Sequence, residues 1–274
     1  MEMTKQGLFW RGEAGYEEAR RGHMWNLRVP KRYPDVVVQA QNEQDVVSAV
    51  RLARQRSLKV AVRSGGHSWA AAFLRDGGML IDVSRMRAFS VDASARTASV
   101  QPGLLGTELN RALRKHDQFF PSGHCMTVGL GGYLLQGGFG WNSRLWGPAC
   151  VSVAGIDVVT ADGELVHADA NQNSDFYWAA RGAGPGFFGV VTRFEVQLRP
   201  RPKVMMRSDY LYPMDVLEDV LAWALSVQPS LARTMEMHGV RAPRYLRPCR
   251  TGCASDRAGS SRQPRRSHGG IGHA

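Results

Sequence analysis

The feature that most constrains this chain is the clustering of its glycines. Seven of its 30 glycines fall within the 18 positions 123–140 of a 274-residue sequence. Glycine has no Cβ, so it is favoured where the backbone turns tightly or approaches another group closely, and it weakens the interior of a helix or strand. The cluster therefore predicts either close contact between the backbone and a ligand or tight packing of backbone against backbone.

Outside the glycine clusters, strand-like and helix-like patterns alternate. The β-branched run at 36–38 predicts a buried strand, and Asn42 predicts the N-cap of a helix over 43–56. A strand–helix–strand opening followed by hairpins indicates an α/β or α+β fold. The other expected elements are strands over 59–63, 79–83, 190–198 and 204–211, hairpins over 89–101 and 152–167, and helices over 16–21, 105–116, 175–181 and 215–227.

The net charge of +11 comes mostly from the last 34 residues. Residues 241–274 contain eight arginines and one aspartate, which leaves +4 for the rest of the chain. This segment has almost no large apolar residues, which predicts either a disordered basic tail that contacts anionic partners or an out-of-frame ending. We favour the second interpretation, because the ordered pattern stops abruptly. Cys249, Cys253, His268 and His273 match no standard zinc spacing, so no metal site is expected.

Two further features bear on where the protein functions. No apolar run approaches the roughly 18–20 residues of a membrane-spanning helix, and residues 1–24 lack the apolar core of a secretory signal. Four cysteines in a chain of this length do not make a disulfide scaffold. We therefore expect a cytoplasmic protein without a membrane partner.

The first segment with chemical potential is RSGGHS at 63–68, which follows a predicted strand. Its two glycines let the backbone approach a ligand and present N–H groups to it, an arrangement that suits a pyrophosphate. His67 beside such a cradle could act on, or bond to, the bound molecule. The alternative is a turn with an incidental histidine.

The second segment is the glycine cluster itself, PSGHCMTVGLGGYLLQGGFG at 121–140. Cys125 lies just before the densest glycines. It could be a nucleophile if a positive charge or amide dipoles stabilise its thiolate, or it could be a buried and inert cysteine.

The third segment, RGAGPGFFGVVT at 181–192, contains the spacing G-x-G-x-x-G at Gly184, Gly186 and Gly189. A dinucleotide-binding fingerprint needs a strand before it and a helix after it, whereas a strand is predicted to follow here. We therefore reject a Rossmann-type NAD site.

In their order and spacing, the three segments resemble the flavoproteins of the vanillyl-alcohol oxidase/PCMH superfamily. Within it they resemble the berberine-bridge-enzyme-like and 6-hydroxy-D-nicotine-oxidase-like oxidases, over about residues 30–200. The resemblance implies an α+β fold, in which a PCMH-type FAD-binding domain of two α/β subdomains precedes the start of a truncated, antiparallel-sheet substrate domain. The corresponding division is a leader over 1–29, the FAD-binding domain over 30–201, the beginning of the substrate domain over 202–237 and the basic tail over 238–274.

The resemblance also implies how FAD would be held. His67 matches the position that is covalently attached to the flavin 8α-methyl group, and Cys125 matches the position attached to flavin C6 in members with two tethers. Imidazole and thiolate are suitable nucleophiles toward an electron-poor oxidised flavin. The other implied cofactor-binding residues are Arg63, Ser64, Gly65, Gly66, Ser68, Val128, Gly129, Gly132, Gly137, Gly138, Gly189, Val190 and Val191.

The implied activity is that of an FAD-dependent oxidoreductase. Such an enzyme takes a hydride from an alcohol, sugar or amine carbon of a small-molecule substrate, and dioxygen is the expected electron acceptor. The family pattern fades near residue 237, before the position where such enzymes commonly place a catalytic base. No catalytic residue is therefore assigned, and nothing specific favours Tyr210 or Tyr212.

Three other histidines are not assigned to the cofactor. His116, His124 and His167 are interpreted as surface or packing residues, although His124 could assist the thiolate of Cys125.

Two alternative functions stay open. One is an FAD-binding fragment with impaired turnover. The other is a nucleic-acid-binding protein that uses its basic tail, which is disfavoured because aromatic residues do not interleave with the tail arginines.

Overall fold

The computed structural model describes residues 7–26 and 28–240. The described residues up to 236 belong to one compact unit, and only residues 237–240 of the second unit are described. The predicted tail over 238–274 thus lies almost wholly outside the described residues, as do Cys249, Cys253, His268 and His273. The strands are β1 (Leu8–Trp10), β2 (Val36–Gln39), β3 (Val60–Arg63), β4 (Met79–Asp82), β5 (Phe89–Asp92), β6 (Thr97–Val100), β7 (Gln118–Phe119), β8 (Val153–Val159), β9 (Leu165–Asp169), β10 (Val190–Gln197) and β11 (Arg199–Pro200). The α-helices are α1 (Tyr16–Arg21), α2 (Glu43–Gln55), α3 (Gly106–Leu113), α4 (Leu130–Leu135), α5 (Ser143–Trp146), α6 (Ser174–Ala179) and α7 (Leu217–Val227).

The first sheet has the strand order β1–β2–β4–β3, with β2, β4 and β3 parallel and β1 antiparallel to β2. Helix α2 connects β2 to β3 and buries Val46, Ala49 and Val50, whose spacing of three and four residues places them on one helix face. The side chain of Asn42 accepts a hydrogen bond from the Asp45 amide at 3.0 Å. The predicted N-cap is therefore confirmed.

The second sheet is antiparallel, with the order β5–β6–β10–β8–β9. Both predicted hairpins are present in it, and the β8–β9 turn passes through Gly163 with a φ of +78°. Phe194 and Val196 alternate on the buried face of β10 and contribute to the core beneath α3 and α4.

Strand β10 joins the cores of the two sheets. Val190 packs in the cluster formed by the first sheet and α2, whereas Val191 packs in the cluster of the second sheet. Successive side chains of a strand point to opposite faces, so neighbouring residues can serve different cores. Further along β10, Arg193 contacts Glu43 at the start of α2 through an Nη2–Oε1 distance of 3.1 Å.

The predicted leader over 1–29 does not stand apart from the fold. Strand β1 pairs with β2 in the first sheet, with Phe9 opposite Val37. Tyr16 and Ala19 of α1 are buried against the same sheet, and the Tyr16 hydroxyl donates to the Pro34 carbonyl at 2.6 Å. The described part of the leader is therefore a structural component of the first sheet.

The region after β11 differs from its prediction in one element. The expected strand over 204–211 is absent. Residues 202–213 are irregular in the structure, and no described strand pairs with them. The predicted helix over 215–227 is present as a 3₁₀ turn followed by α7. Apolar side chains of α7 remain exposed, including Leu221 at 50% and Trp223 at 55%. None of the described helices is long and apolar enough to cross a membrane.

Candidate functional site

The site is built on two loops, which we name the histidine loop (residues 64–69) and the cysteine loop (residues 121–129). The histidine loop follows β3 at the carboxyl end of a parallel strand, and the cysteine loop leads from β7 into α4. Ligands of parallel α/β sheets commonly bind outside the carboxyl ends of the strands.

Arg63 anchors the base of the histidine loop. Its fully buried guanidinium pairs with Asp82 through an Nη2–Oδ2 distance of 2.7 Å. It also donates to the carbonyl oxygens of Ala19 and Arg20 at 2.6 and 2.8 Å. These carbonyls lie near the end of α1, where the helix leaves acceptors unsatisfied. The resemblance implies that Arg63 binds the cofactor. In the structure its charge is paired with Asp82, and its guanidinium fastens α1 to the sheet.

The two loops pack backbone against backbone. A Cβ on Gly65 would lie 2.4 Å from the amide nitrogen of Gly129, a distance that real Cβ atoms do not adopt. Ser64 Oγ donates to the Pro102 carbonyl at 2.6 Å, and the amide of Gly131 donates to the same oxygen at 2.8 Å. Part of the glycine clustering therefore serves loop packing.

His67 is half-buried and held on two sides. Its Nε2 lies 2.9 Å from Oγ1 of Thr127 in the cysteine loop. Its ring stacks on Trp25 at a centroid separation of 5.4 Å and an interplanar angle of 7°. Burial lowers the pKa of His67 from its ordinary value, and a hydrogen bond to the Thr127 backbone opposes that shift. The imidazole is thus favoured in its neutral form at pH 7.

Cys125 is a free, exposed thiol in the same loop that contacts His67. The Val128 amide donates to the Cys125 carbonyl at 3.3 Å, and the Thr107 hydroxyl of α3 donates to the Met126 carbonyl at 2.9 Å. Since Thr127 is only two residues from Cys125, the fold brings the loops of both predicted nucleophiles into contact. His124 places its ring 4.5 Å from that of Trp141.

The remaining predicted glycines divide into two groups. A Cβ on Gly66 would lie 1.6 Å from the His23 carbonyl oxygen, and one on Gly138 would meet the Tyr133 ring at 2.9 Å, so both glycines are required by packing. A Cβ on Gly132 would meet no protein atom within 4 Å, and the same holds for Gly182 and Gly186 of the third segment. Packing does not account for these three glycines. Gly137 has a φ of +99°, which itself favours glycine.

The other predicted positions are engaged within the protein. Ser68 Oγ accepts from the Ala72 amide at 3.2 Å, and Val128 is half-buried beside Gly129. A Cβ on Gly189 would lie 2.5 Å from Cγ2 of Val158. Val190 and Val191 pair with β8 and have buried side chains, so only their backbones could face a ligand.

A cavity of about 400 Å³ lies beside the third segment and was not predicted from the sequence. Burial raises the pKa of the Cys150 thiol, which keeps it protonated. Arg181 lies over the Tyr177 ring at 4.4 Å. The only sequence signal for this cavity is the position of Arg181 at the start of a glycine-rich segment. The lining residues are Cys150, Val151, Trp178, Ala179, Arg181, Gly182 and Ala183.

The other candidate histidines and tyrosines lie elsewhere. His116 is exposed on the 3₁₀ turn after α3. His167 lies on β9, with Nδ1 at 2.8 Å from Oδ1 of Asp157. Tyr210 and Tyr212 are 74% and 53% exposed in the irregular segment after β11.

Known proteins resemble this chain over most of its length. A family model described as an FAD binding domain matches residues 34–169. The FAD-linked oxidoreductase nodO of Hypoxylon pulicicidum is 42% identical over 235 residues, which are 85% of this chain and 52% of the relative. The carbohydrate oxidase of Microdochium nivale is 34% identical over 229 residues, which are 77% of this chain and 45% of the relative.

Solved structures give the same result for the fold. The 6-hydroxy-D-nicotine oxidase of Arthrobacter nicotinovorans superposes with a TM-score of 0.75 and 28% sequence identity, covering 84% of this chain and 51% of that chain. The predicted mixed α and β fold of a PCMH-type FAD-binding domain is therefore confirmed. The chain spans about half the length of the curated relatives it matches.

Proposed function

The chain belongs to the family of FAD-linked oxidoreductases with this FAD binding domain, and from that membership we propose that it holds FAD for the oxidation of a small molecule. The observation that carries the proposal is the hydrogen bond between Nε2 of His67 and the hydroxyl of Thr127. This contact joins the loop of one predicted flavin-attaching residue to the loop of the other, Cys125. A cofactor attached at two points requires the loops that carry its two attachment residues to lie close together.

The residues present fit FAD in two further respects. A Cβ on Gly132, Gly182 or Gly186 would meet open space. A site in which the backbone approaches a ligand closely needs such space. Burial lowers the pKa of His67 and so favours its neutral form at pH 7, and a neutral imidazole retains the lone pair that a nucleophile needs.

We propose two covalent links to the flavin. His67 forms a nitrogen–carbon bond to the 8α-methyl carbon, while the imidazole and the methyl group each give up one hydrogen. Cys125 forms a sulfur–carbon bond to C6, while the thiol and the ring carbon each give up one hydrogen. In each case dioxygen accepts the two hydrogens with their electrons and leaves as hydrogen peroxide, so atoms and electrons balance.

Bound FAD supplies a two-electron acceptor, and the chain's own residues supply position and environment. The links at His67 and Cys125 fix the cofactor in one orientation, and the packed glycines of the two loops keep both attachment points together. The substrate class is an alcohol, sugar or amine, with dioxygen as the final acceptor. The relative that oxidises carbohydrates favours testing sugars first.

The proposed domain division assigns FAD binding to residues 30–201 and the beginning of a substrate domain to residues 202–237. The exposed apolar side chains of α7 support the second assignment, because a helix with such a surface normally packs against another element. The described part of the segment before residue 30 is added to the first domain, since β1 and α1 pack on its sheet.

The proposal is tested by anaerobic reduction of the purified protein. Glucose, oligosaccharides, primary alcohols and amines are mixed with it, and loss of oxidised-flavin absorbance near 450 nm is recorded by stopped flow, on the ~1–1,000 s⁻¹ scale of ordinary turnover. Air is then admitted and hydrogen peroxide is measured. We expect at least one substrate class to reduce the flavin and air to restore it with one peroxide per flavin. Full FAD occupancy without reduction by any class would contradict the oxidase activity, and protein without flavin would contradict the cofactor assignment.

A further inference from the structure

The segment before the first sheet braces the histidine loop. Gly66 has a φ of +68° and sits so close to the carbonyl oxygen of His23 that no Cβ fits between them. Arg63, at the base of the loop, holds the carbonyls of Ala19 and Arg20. The chain from α1 onward is thus fixed against the loop at two places before it reaches Trp25.

Trp25 contacts His67 through two separate parts of its side chain. The indole Nε1–H donates to the His67 carbonyl oxygen at 3.1 Å, and the indole face stacks on the imidazole with an angle of 7° between the rings. Trp69, the last residue of the histidine loop, packs edge-on against Trp25 at 4.8 Å and so adds a second contact to the indole. One side chain therefore fixes both the backbone and the ring plane of His67.

Thr127 defines the second constraint on the imidazole. Its hydroxyl lies 2.9 Å from Nε2, whereas Nδ1 is not part of this contact. When Nε2–H donates to Thr127, the neutral ring carries its free lone pair on Nδ1.

We propose that Trp25 and Thr127 are positioning residues that present Nδ1 of His67 for flavin attachment. The stack on Trp25 sets the direction of the ring, and the Thr127 hydroxyl holds Nε2 at hydrogen-bond distance. This inference rests on the proposed attachment of FAD through His67. In that attachment dioxygen accepts the two hydrogens with their electrons and leaves as hydrogen peroxide. Burial of the ring supports the assignment, because it favours the neutral imidazole that attachment requires.

The test uses the Cys125→Ala background, so that His67 is the only remaining attachment point. Full-length apoprotein from riboflavin-depleted cells is mixed with FAD in air, and samples are quenched in acid. Flavin fluorescence that stays with the denatured protein gives the rate of attachment. Total bound FAD before the quench and the thermal midpoint report binding and folding separately.

We expect Trp25→Ala to slow attachment by about tenfold or more, the scale of a mispositioned reacting group, while total bound FAD and the thermal midpoint change little. Trp25→Phe keeps a ring on the imidazole and should recover part of the rate. Thr127→Val should also slow attachment, and Thr127→Ser should restore it. In Trp25→Ala the acidic limb of the rate–pH profile should move to higher pH, because a more solvated His67 regains its ordinary pKa.

Attachment within twofold of the background in Trp25→Ala, with an unmoved pH profile, would overturn the role of Trp25. A parallel fall in total bound FAD and thermal midpoint would also overturn it, since Trp25 would then only support the fold. Absence of acid-stable flavin in Cys125→Ala itself would overturn the attachment through His67 and this inference with it. The failure of the proposed function is thereby distinguishable from the failure of the positioning role.

Discussion

Gly65 and Gly129 lie in direct backbone contact across the two loops of the site, 64 positions apart in the chain. A Cβ on Gly65 would be 2.4 Å from the Gly129 amide nitrogen, and a Cβ on Gly129 would be 2.8 Å from the Gly65 amide nitrogen. Any side chain on either residue would push the loops apart. The relative position of His67 and Cys125 therefore depends on this pair of glycines.

Gly65→Ala should weaken both folding and flavin retention. The new methyl group meets backbone atoms that cannot rotate away, and overpacking of this kind costs about 1–3 kcal/mol. Urea unfolding and acid-stable flavin content measure the two effects. Wild-type values for both would contradict the close approach of the loops.

Gly132→Ala should stabilise the fold, in contrast to Gly65→Ala, but like Gly65→Ala it should weaken the binding of FAD. The residue lies in α4 with open space around it, and replacing a helical glycine by alanine stabilises a helix by about 0.5–1 kcal/mol. If Gly132 borders FAD, the methyl group lowers the affinity for added FAD. Equilibrium binding of FAD to apoprotein measures this affinity, and unchanged affinity would remove Gly132 from the site.

Arg63→Met should destabilise the protein severely. The substitution leaves the buried carboxylate of Asp82 without its cation, and loss of one partner of a buried pair costs about 3–5 kcal/mol. Arg54→Met is the matched control, because Arg54 pairs with Asp162 at the exposed surface and such pairs contribute about 0–1 kcal/mol. Equal unfolding free energies of the two variants would contradict the anchoring role of Arg63.

His167 should stabilise the fold more in mild acid than in base. The hydrogen bond to Asp157 is the main cause that raises the pKa of His167 above its ordinary value. A raised folded-state pKa gives stabilisation that is complete below the unfolded pKa of about 6.5 and is lost as the pH rises through the folded pKa. His167 is partly exposed, so the effect stays below about 1 kcal/mol.

The measurement is urea unfolding of His167→Gln and wild type at pH 6 and pH 9, with His116→Gln as the control on an exposed turn. We expect the deficit of His167→Gln to be larger at pH 6 than at pH 9. An equal deficit at both values would show that protonation of His167 does not contribute.

Local patterns predicted the regular elements well because their causes are local. The Asn42 cap, the amphipathic face of α2 and the turn at Gly163 depend on residues within a few positions of one another. Strand β1 was missed because its three residues become a strand only by pairing with β2, about 28 positions away. The strand predicted over 204–211 failed for the same reason, since a run of suitable residues needs a neighbouring strand to pair with.

The sequence indicated the two loops of the candidate site, and their role in binding FAD stays a prediction. Clustered glycines and single nucleophiles mark the loops of His67 and Cys125, and the fold brings these loops together. Trp25 and Thr127 were not foreseen as contacts of His67, because they lie 42 and 60 positions from it in the sequence. Sequence likewise could not separate glycines required by packing, such as Gly65, from those that leave open space, such as Gly132, because that difference depends on tertiary neighbours.

The most direct test of the account is whether flavin stays on the protein after acid denaturation. Wild type, His67→Ala, Cys125→Ala and the double variant are purified, denatured in acid and separated on a gel, with His116→Ala as a histidine control. We predict flavin fluorescence in the protein band of wild type, the control and both single variants, and none in the double variant. Fluorescence that persists in the double variant, or that is absent from wild type, would contradict attachment through His67 and Cys125.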